Sequence, residues 1–271
     1  MNLGVIVRLD DLEIDARFKE VHDFGFRYCQ LVAWKHEYLT DETAEMILEA
    51  CSKYDVKIST FWCGWSGPAS WNFYDGPITL GLVPQAYRFV RTQELINGSD
   101  FAKKLGVDKV ATHAGFLPEN LNDVDYSGVV CALRQVANHC KANGQKFLFE
   151  TGQETPVTLL RLIEDIGTDN LGINLDPANL LMYGKANPTD ALDVFGKYVV
   201  EVHAKDGDYP TDGRNLGKEY AIGQGRVNFP VFVEKLKEIG FDGVLIIERE
   251  IVGEQQSADI RMAKTYLEGL I

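Results

Sequence analysis

Short apolar, β-rich runs recur along the chain, and longer amphipathic stretches separate them. Glycine, aspartate or proline commonly bounds each run. Runs of this kind predict buried strands of a parallel sheet, because a strand covered on both faces is apolar along most of its length. The eight predicted strands are Leu3–Arg8, Tyr28–Ala33, Val56–Trp62, Asp108–His113, Lys146–Glu150, Leu171–Asp176, Tyr198–His203 and Gly243–Glu248.

The stretches between these runs have helical patterns. Thr40, for example, precedes two acidic residues and then apolar residues at helical spacing, which is typical of a capped helix start. Strands that alternate with helices predict a closed parallel barrel or a doubly wound sheet. The count of eight, and the lack of a GxGxxG motif after the first strand, favour a single (β/α)8 TIM barrel. The length of 271 residues suits one such domain over residues 1–271, and no linker divides it.

Composition excludes several classes of partner. The formal net charge of −13 opposes binding to nucleic acid or to an anionic membrane surface. No apolar stretch approaches the roughly 18 residues of a membrane span, and the N-terminus lacks the basic and apolar regions of a signal peptide. The five cysteines are odd in number and form no CxxC pair, which is typical of free thiols in a reducing compartment. We therefore expect a cytoplasmic protein.

Ionisable residues end the last four predicted strands: Glu150, Asp176, His203 and Glu248. In a barrel these strand ends lie side by side on one rim. Three carboxylates that converge there would repel one another unless a cation lay among them. Any one of these acids alone could be a helix N-cap or a solvated loop charge, but four at the same topological position favour a metal site. Three carboxylates and one imidazole suit Mn²⁺, Mg²⁺ or Co²⁺, with Zn²⁺ as a further candidate.

The sequence around these residues resembles the xylose isomerase-like TIM barrels, a superfamily of sugar phosphate isomerases and epimerases. The resemblance covers nearly the whole chain, and its firmest pieces are FLFETGQET, GINLDPANL, VEVHAKD and LIIERE. It implies that one divalent metal is held by Glu150, Asp176, His203 and Glu248, as in the ketose 3-epimerases of the superfamily. It also implies that Glu150 and Glu248 are the acid/base pair. The zinc endonucleases of the superfamily need several more histidines than the five present here, and that branch is excluded.

The predicted activity is therefore that of a metal-dependent sugar isomerase or epimerase in carbohydrate metabolism. Such an enzyme abstracts a proton next to a carbonyl, and the metal stabilises the enediolate. A lyase or hydrolase acting on a keto-sugar, keto-glycoside or keto-inositol needs the same site and remains an alternative. A non-catalytic sugar-binding barrel is a further alternative, although binding alone does not require two convergent bases. The expected partner is a small sugar or sugar derivative, and the resemblance leaves a homodimer or homotetramer open.

Other residues are candidates for contact with the substrate. The family often has DxxH after strand six, whereas this chain has Asp176-Pro-Ala-Asn179, so asparagine replaces a histidine that touches metal or substrate. Two long connections, 63–84 and 205–228, follow strand ends and are predicted to be substrate loops. The predicted substrate-binding residues are His113, Glu154, Asn179, Lys205, Trp62 and Trp65.

Overall fold

The first strand pairs with both the second and the last barrel strand, and this closes the sheet into a parallel barrel. A computed structural model describes all residues, 1–271. The closed eight-stranded barrel with its surrounding helices confirms the predicted (β/α)8 fold. Its strands are β1 Asn2–Arg8, β2 Tyr28–Ala33, β3 Lys57–Cys63, β4 Lys109–His113, β5 Lys146–Glu150, β6 Leu171–Leu175, β7 Val199–Ala204 and, last in the closure, β10 Val244–Ile247.

Ten α-helices surround or cap the barrel. The cap predicted at Thr40 is present, since its side chain accepts a hydrogen bond from the backbone N–H of Thr43. None of the helices is both long enough and apolar enough to cross a membrane. The helices are α1 Ile14–Asp23, α2 Asp41–Tyr54, α3 Gly76–Thr79, α4 Gln85–Lys104, α5 Val124–Ala142, α6 Pro156–Ile166, α7 Pro177–Met182, α8 Pro188–Phe195, α9 Phe229–Glu238 and α10 Glu254–Glu268.

The apolar core and the barrel interior differ in character. The main core fills the layer between strands and helices, where side chains such as Val202, Phe232 and Leu245 are fully buried. Side chains alternate along each strand, so the intervening residues of β7 point into the barrel. Glu201 and His203 both lie there, fully buried, and make polar contacts with other strands. The interior is thus partly polar, and each polar group in it needs a partner.

The connection from Cys63 to Pro84 is held to the barrel by a buried arginine. Arg91 on α4 is fully buried, and its guanidinium donates hydrogen bonds to backbone carbonyls within the connection. The acceptors are the carbonyl oxygens of Ser66, Pro68, Thr79 and Gly81. Because these carbonyls have no partners in a regular element, the arginine replaces the hydrogen bonds that a helix or sheet would supply.

The second long connection, from Lys205 to Asn228, contains an antiparallel pair that the sequence pattern did not predict. Its strands, β8 Asp206–Gly207 and β9 Glu219–Tyr220, are only two residues long and carry no apolar run. The buried carboxylate of Asp206 organises the rest of the connection by accepting hydrogen bonds from backbone N–H groups. The donors are Gly207, Gly223, Gly225 and Val227.

Candidate metal and substrate site

Four ionisable side chains meet at the carboxyl end of the barrel. One potential ligand atom from each of Glu150, Asp176, His203 and Glu248 lies within 4.8 Å of the other three. The prediction that these residues end their strands is right for Glu150 but needs correction for the others. Asp176 and Glu248 lie one residue beyond β6 and β10, and His203 precedes the last residue of β7. Asp176 leaves the strand because its carboxylate caps α7 by accepting a hydrogen bond from the N–H of Asn179.

Several atoms at the centre of this cluster are buried without a hydrogen-bond partner. They are Oδ2 of Asp176, Nδ1 of His203 and Oε2 of Glu248. Nδ1 of His203 lies 3.1 Å from Oε2 of Glu248 and 3.2 Å from Oε1 of Glu150, yet neither approach has the direction of a hydrogen bond. Buried polar atoms without partners are rare, and here they face one common point. Three oxygens and one nitrogen around that point fit a divalent cation.

Electrostatics within the cluster balance burial against opposite charge. Burial alone would raise the pKa of Glu248, but Lys205 and His203 outweigh burial and hold that pKa well below its usual value. Burial likewise opposes ionisation of Glu150, whose pKa is nevertheless lowered by His113 and His203. The neighbouring carboxylates overcome the burial of His203 and raise its pKa well above the ordinary value. In the absence of a metal, a proton on His203 therefore supplies part of the positive charge that the carboxylates require.

Lys205 lies inside the site and is not a solvated loop residue. Its ammonium is buried, with Nζ 2.9 Å from Oε2 of Glu250 and 3.6 Å from Oε2 of Glu248. Burial would lower the pKa of Lys205, but Glu248 and Glu250 reverse this effect and raise it. The second of these acids, Glu250, was not singled out from the sequence. Its position two residues after Glu248, in the LIIERE motif, is the signal that could have indicated it.

His113 and Asn179 both touch Glu150. Nε2 of His113 lies 3.4 Å from Oε1 of Glu150, and the Asn179 amide nitrogen is 3.4 Å from the same oxygen. The side-chain oxygen of Asn179 lies 3.5 Å from Nζ of Lys205. The asparagine that departs from the family pattern therefore bridges the glutamate and the lysine of the site.

Aromatic rings form one wall of the site. The indole N–H of Trp62 donates a hydrogen bond to Oε2 of Glu150. Trp34 packs against Trp62, with ring centroids 5.0 Å apart, and Trp71 from the first long connection packs against Trp34. Trp65 is buried behind these rings and does not line the cavity. Any contact of Trp65 with a substrate remains a prediction.

Glu154 is the most isolated of the predicted substrate-binding residues. It is buried in the segment after β5 and does not line the cavity in front of the metal cluster. Both of its carboxylate oxygens, and both polar atoms of the Gln153 side chain, lack a hydrogen-bond partner. Burial raises the pKa of Glu154 to about 8. At neutral pH this carboxyl group is therefore mostly protonated.

A cavity of about 260 Å³ opens in front of the cluster. Four of the predicted substrate-binding residues, His113, Asn179, Lys205 and Trp62, line it. The sequence pattern did not single out several other lining residues, because each belongs to an ordinary apolar or charged stretch. These are Ile6, Arg8, Val32, Met182, Tyr183 and Leu216, together with Glu250.

Fold and site together define a (β/α)8 barrel with a carboxylate–imidazole cluster at its carboxyl end. A sequence model described as the xylose isomerase-like TIM barrel family matches residues 18–266. The chain therefore belongs to the xylose isomerase-like TIM barrel family.

Individual proteins share this similarity along almost the whole chain. The crystal structure of a xylose isomerase domain protein from Planctomyces limnophilus is 33% identical, with a TM-score of 0.94, over 99% of this chain and 96% of that chain. The structure of a D-tagatose 3-epimerase-like protein is 24% identical, with a TM-score of 0.74, over 100% and 98% of the two chains. An uncharacterised protein from Methanocaldococcus jannaschii is 26% identical over 94% of this chain and 85% of its own length.

Proposed function

We propose that this protein is a divalent-metal-dependent isomerase or epimerase of a monosaccharide or a close derivative. The observation that carries the proposal is the convergence of four ligand atoms within 4.8 Å, three of them buried without hydrogen-bond partners. Membership of the xylose isomerase-like family supports it. The name of the 24% identical relative, a D-tagatose 3-epimerase-like protein, is consistent with it.

In this proposal Glu150, Asp176, His203 and Glu248 would hold the metal. When bound, a divalent ion such as Mn²⁺, Mg²⁺, Co²⁺ or Zn²⁺ supplies a Lewis acid that withdraws electrons from a substrate carbonyl. The ligand oxygens of Asp176 and Glu248 have no hydrogen-bond donor that would have to be displaced. His203 must lose its proton to act as a ligand, and its raised pKa makes this loss the pH-dependent part of metal binding.

Glu150 and Glu248 are the proposed proton carriers. Both lie on the cavity wall, and neighbouring cations lower the pKa of each despite burial, so each is ionised and able to accept a proton from carbon. In an epimerisation one ionised carboxylate removes the proton beside the carbonyl, and the other, which first takes up a proton from solvent, gives that proton to the opposite face. The first carboxylate then releases its proton to solvent, so that both groups return to their starting state. The indole N–H of Trp62 fixes the orientation of the Glu150 carboxylate.

The rest of the cavity is proposed to bind the sugar. Lys205 and Asn179 present polar groups to substrate oxygens, and the ring of Trp62 presents an apolar face to sugar C–H groups. Ligand pockets for drug-sized molecules have volumes of roughly 300–1,000 Å³. The cavity of about 260 Å³ lies just below this range, and a substrate the size of one sugar ring suits it.

Solvent-deuterium exchange tests the chemistry directly. The metal-free protein would be incubated in D₂O, with and without Mn²⁺, with a panel of ketoses, keto-glycosides and inositol ketones. We expect Mn²⁺-dependent incorporation of deuterium next to the carbonyl of at least one ketose, together with an epimer or aldose product in the NMR spectrum. Loss of a leaving group or of water would indicate the lyase alternative. The absence of exchange into every member would contradict an enzyme of this chemistry.

The two glutamates provide the first mutational prediction. Glu150→Gln and Glu248→Gln should each lower the rate of deuterium exchange by about 10²–10⁴-fold, because each removes a group that transfers a proton. Glu234→Gln, at an exposed position of α9, is the matched control and should retain the full rate. Wild-type exchange in either of the first two variants would show that the acid/base assignment is wrong.

A further inference from the structure

Glu201 is a fully buried carboxylate inside the barrel, below the metal cluster, and the proposed chemistry does not use it. It accepts hydrogen bonds from the hydroxyl groups of Ser59, at 2.7 Å, and Thr60, at 2.6 Å. The ammonium of Lys109 lies 3.8 Å away. A buried carboxylate needs donors on every side, and these residues provide them.

The third donor to Glu201 is the side-chain amide of Gln30, at 3.2 Å. The donor in this contact is the NH₂ group of the Gln30 amide, which faces an oxygen of the Glu201 carboxyl group. Its oxygen then points the other way, towards His203, where it lies 2.8 Å from Nε2 of the imidazole ring. The contact with Glu201 thereby fixes the orientation of the Gln30 amide.

An amide oxygen can only accept, so Nε2 of His203 must carry a proton and donate it to Gln30. The amide nitrogen of Asn174 also lies 2.8 Å from Nε2, and two donors cannot face each other there. The side-chain oxygen of Asn174 is buried without a partner, so no contact holds this amide and it can turn its oxygen towards Nε2. Gln30 is anchored at its far end and Asn174 is not, so Gln30 decides the protonation of Nε2. The remaining nitrogen, Nδ1, faces Glu150 and Glu248.

We propose that Gln30 and Glu201 are positioning residues that direct the Nδ1 lone pair of His203 to the metal. The inference rests on the proposed function, because it takes His203 to be a metal ligand. Its physical basis is general: the hydrogen bond at one nitrogen of a histidine fixes the ring and decides which nitrogen is free to bind a metal. Glu201, Gln30 and His203 form a chain across the barrel, from β7 to β2 and back to β7.

The first measurement is the affinity for Mn²⁺ alone, obtained from the electron paramagnetic resonance signal of the free ion. Gln30→Leu removes the acceptor and should raise the Kd about 10–100-fold, the usual effect of losing such a partner. Gln145→Leu is the matched control, because Gln145 is a buried, hydrogen-bonded glutamine that contacts Ser99 and Val107 and not the site. It should keep the wild-type Kd. An unchanged Kd in Gln30→Leu would overturn the inference.

A double variant tests the direction of the hydrogen bonds that link Glu201, Gln30 and His203. Gln30→Glu combined with Glu201→Gln retains an acceptor against Nε2 of His203 and places an amide donor below it. We expect this exchange to restore most of the Mn²⁺ affinity that Gln30→Leu loses. An affinity as low as that of Gln30→Leu would contradict a positioning role, since the acceptor and the packing volume are both retained.

The second measurement does not require metal. In metal-free protein labelled with ¹⁵N-histidine, the proton on Nε2 of His203 should exchange slowly with water because Gln30 accepts it. It should exchange rapidly in Gln30→Leu. Equal exchange in the two proteins would overturn the inference even if wild type binds Mn²⁺. Failure of wild type to bind any divalent ion would contradict the proposed function. The exchange rate of the Nε2 proton would then still show whether Gln30 holds the imidazole ring of His203.

Discussion

The carboxyl group of Glu154 is buried with no hydrogen-bond partner for either oxygen. Burial raises its pKa from 4.5 to about 8. The folded protein therefore keeps a proton on Glu154 that the unfolded chain releases between these two pH values. The resulting contribution to stability is complete below pH 4.5 and is lost as the pH rises towards 8.

Glu154→Gln removes this titration while keeping the shape of the protonated acid. The free energy of unfolding of wild type, relative to that of the variant, should fall between pH 5 and pH 8. The fall is expected to reach a few kcal/mol, at about 1.4 kcal/mol per pKa unit. Urea denaturation of both proteins at several pH values measures it. For the control Glu164→Gln, at an exposed position of α6, the free energy of unfolding should change with pH as it does in wild type. A constant difference between wild type and Glu154→Gln would show that Glu154 is not a buried acid.

Residues that act through a chain of contacts are the ones that sequence patterns miss. Glu150, Asp176, His203 and Glu248 could be grouped from the sequence because strand ends of a barrel share one rim, so topology alone brings them together. Gln30 and Glu201 lie within strands and 171 residues apart, and only the register of the closed sheet brings them into contact. A polar residue inside a strand has the same appearance in the sequence whether it faces solvent or another strand.

At the level of elements, the predicted strands agree with the observed ones to within one residue at each end. The apolar runs carry this information because both faces of each strand are covered. Where a predicted strand end differs from the observed one, a local contact can determine where the strand stops. Asp176 leaves β6 to cap α7, an interaction that the apolar pattern does not contain. The β8–β9 pair was missed because the backbone hydrogen bonds to Asp206 organise its connection, and no apolar face marks it.

The second long connection, from Lys205 to Asn228, provides a prediction at the level of elements. A Cβ atom at Gly225 would lie 2.3 Å from Oδ1 of Asp206 and 2.6 Å from the backbone nitrogen of Gly207. Gly225→Ala must therefore push the segment away from the carboxylate that holds it. We expect a loss of about 1–3 kcal/mol in stability. Faster cleavage by trypsin at Arg214 and Lys218, both exposed in this connection, should accompany it.

Gly213→Ala is the matched control in the same connection, because a Cβ atom there would meet nothing within 4 Å. Its stability and tryptic cleavage should equal those of wild type. Leu216 of this connection lines the cavity, so Gly225→Ala should also raise the KM for the substrate found by deuterium exchange. Equal cleavage rates in the two alanine variants would contradict the organising role of Asp206.

For the whole molecule, the four proposed ligands lie in or directly after four strands that are consecutive in the barrel closure: β5, β6, β7 and β10. They span the chain from residue 150 to residue 248, so an ion bound to all four links segments far apart in sequence. An unfolded chain does not offer this arrangement. A metal that binds only the folded state stabilises it by mass action, by about 2.7 kcal/mol at a concentration 100 times the Kd.

The last prediction follows from this linkage. Addition of Mn²⁺ to metal-free wild type should raise the Tm by several degrees, since about 1 kcal/mol corresponds to roughly 2–4 °C in a chain of this size. Asp176→Asn should lose most of this rise, because it removes a buried ligand charge while leaving an oxygen to cap α7. Glu234→Gln should retain it, although both variants change the net charge by one unit. Thermal denaturation with and without Mn²⁺ distinguishes the two. An equal rise in both variants would mean that Mn²⁺ acts on the acidic surface of the protein, whose net charge is −13, and not at the barrel rim.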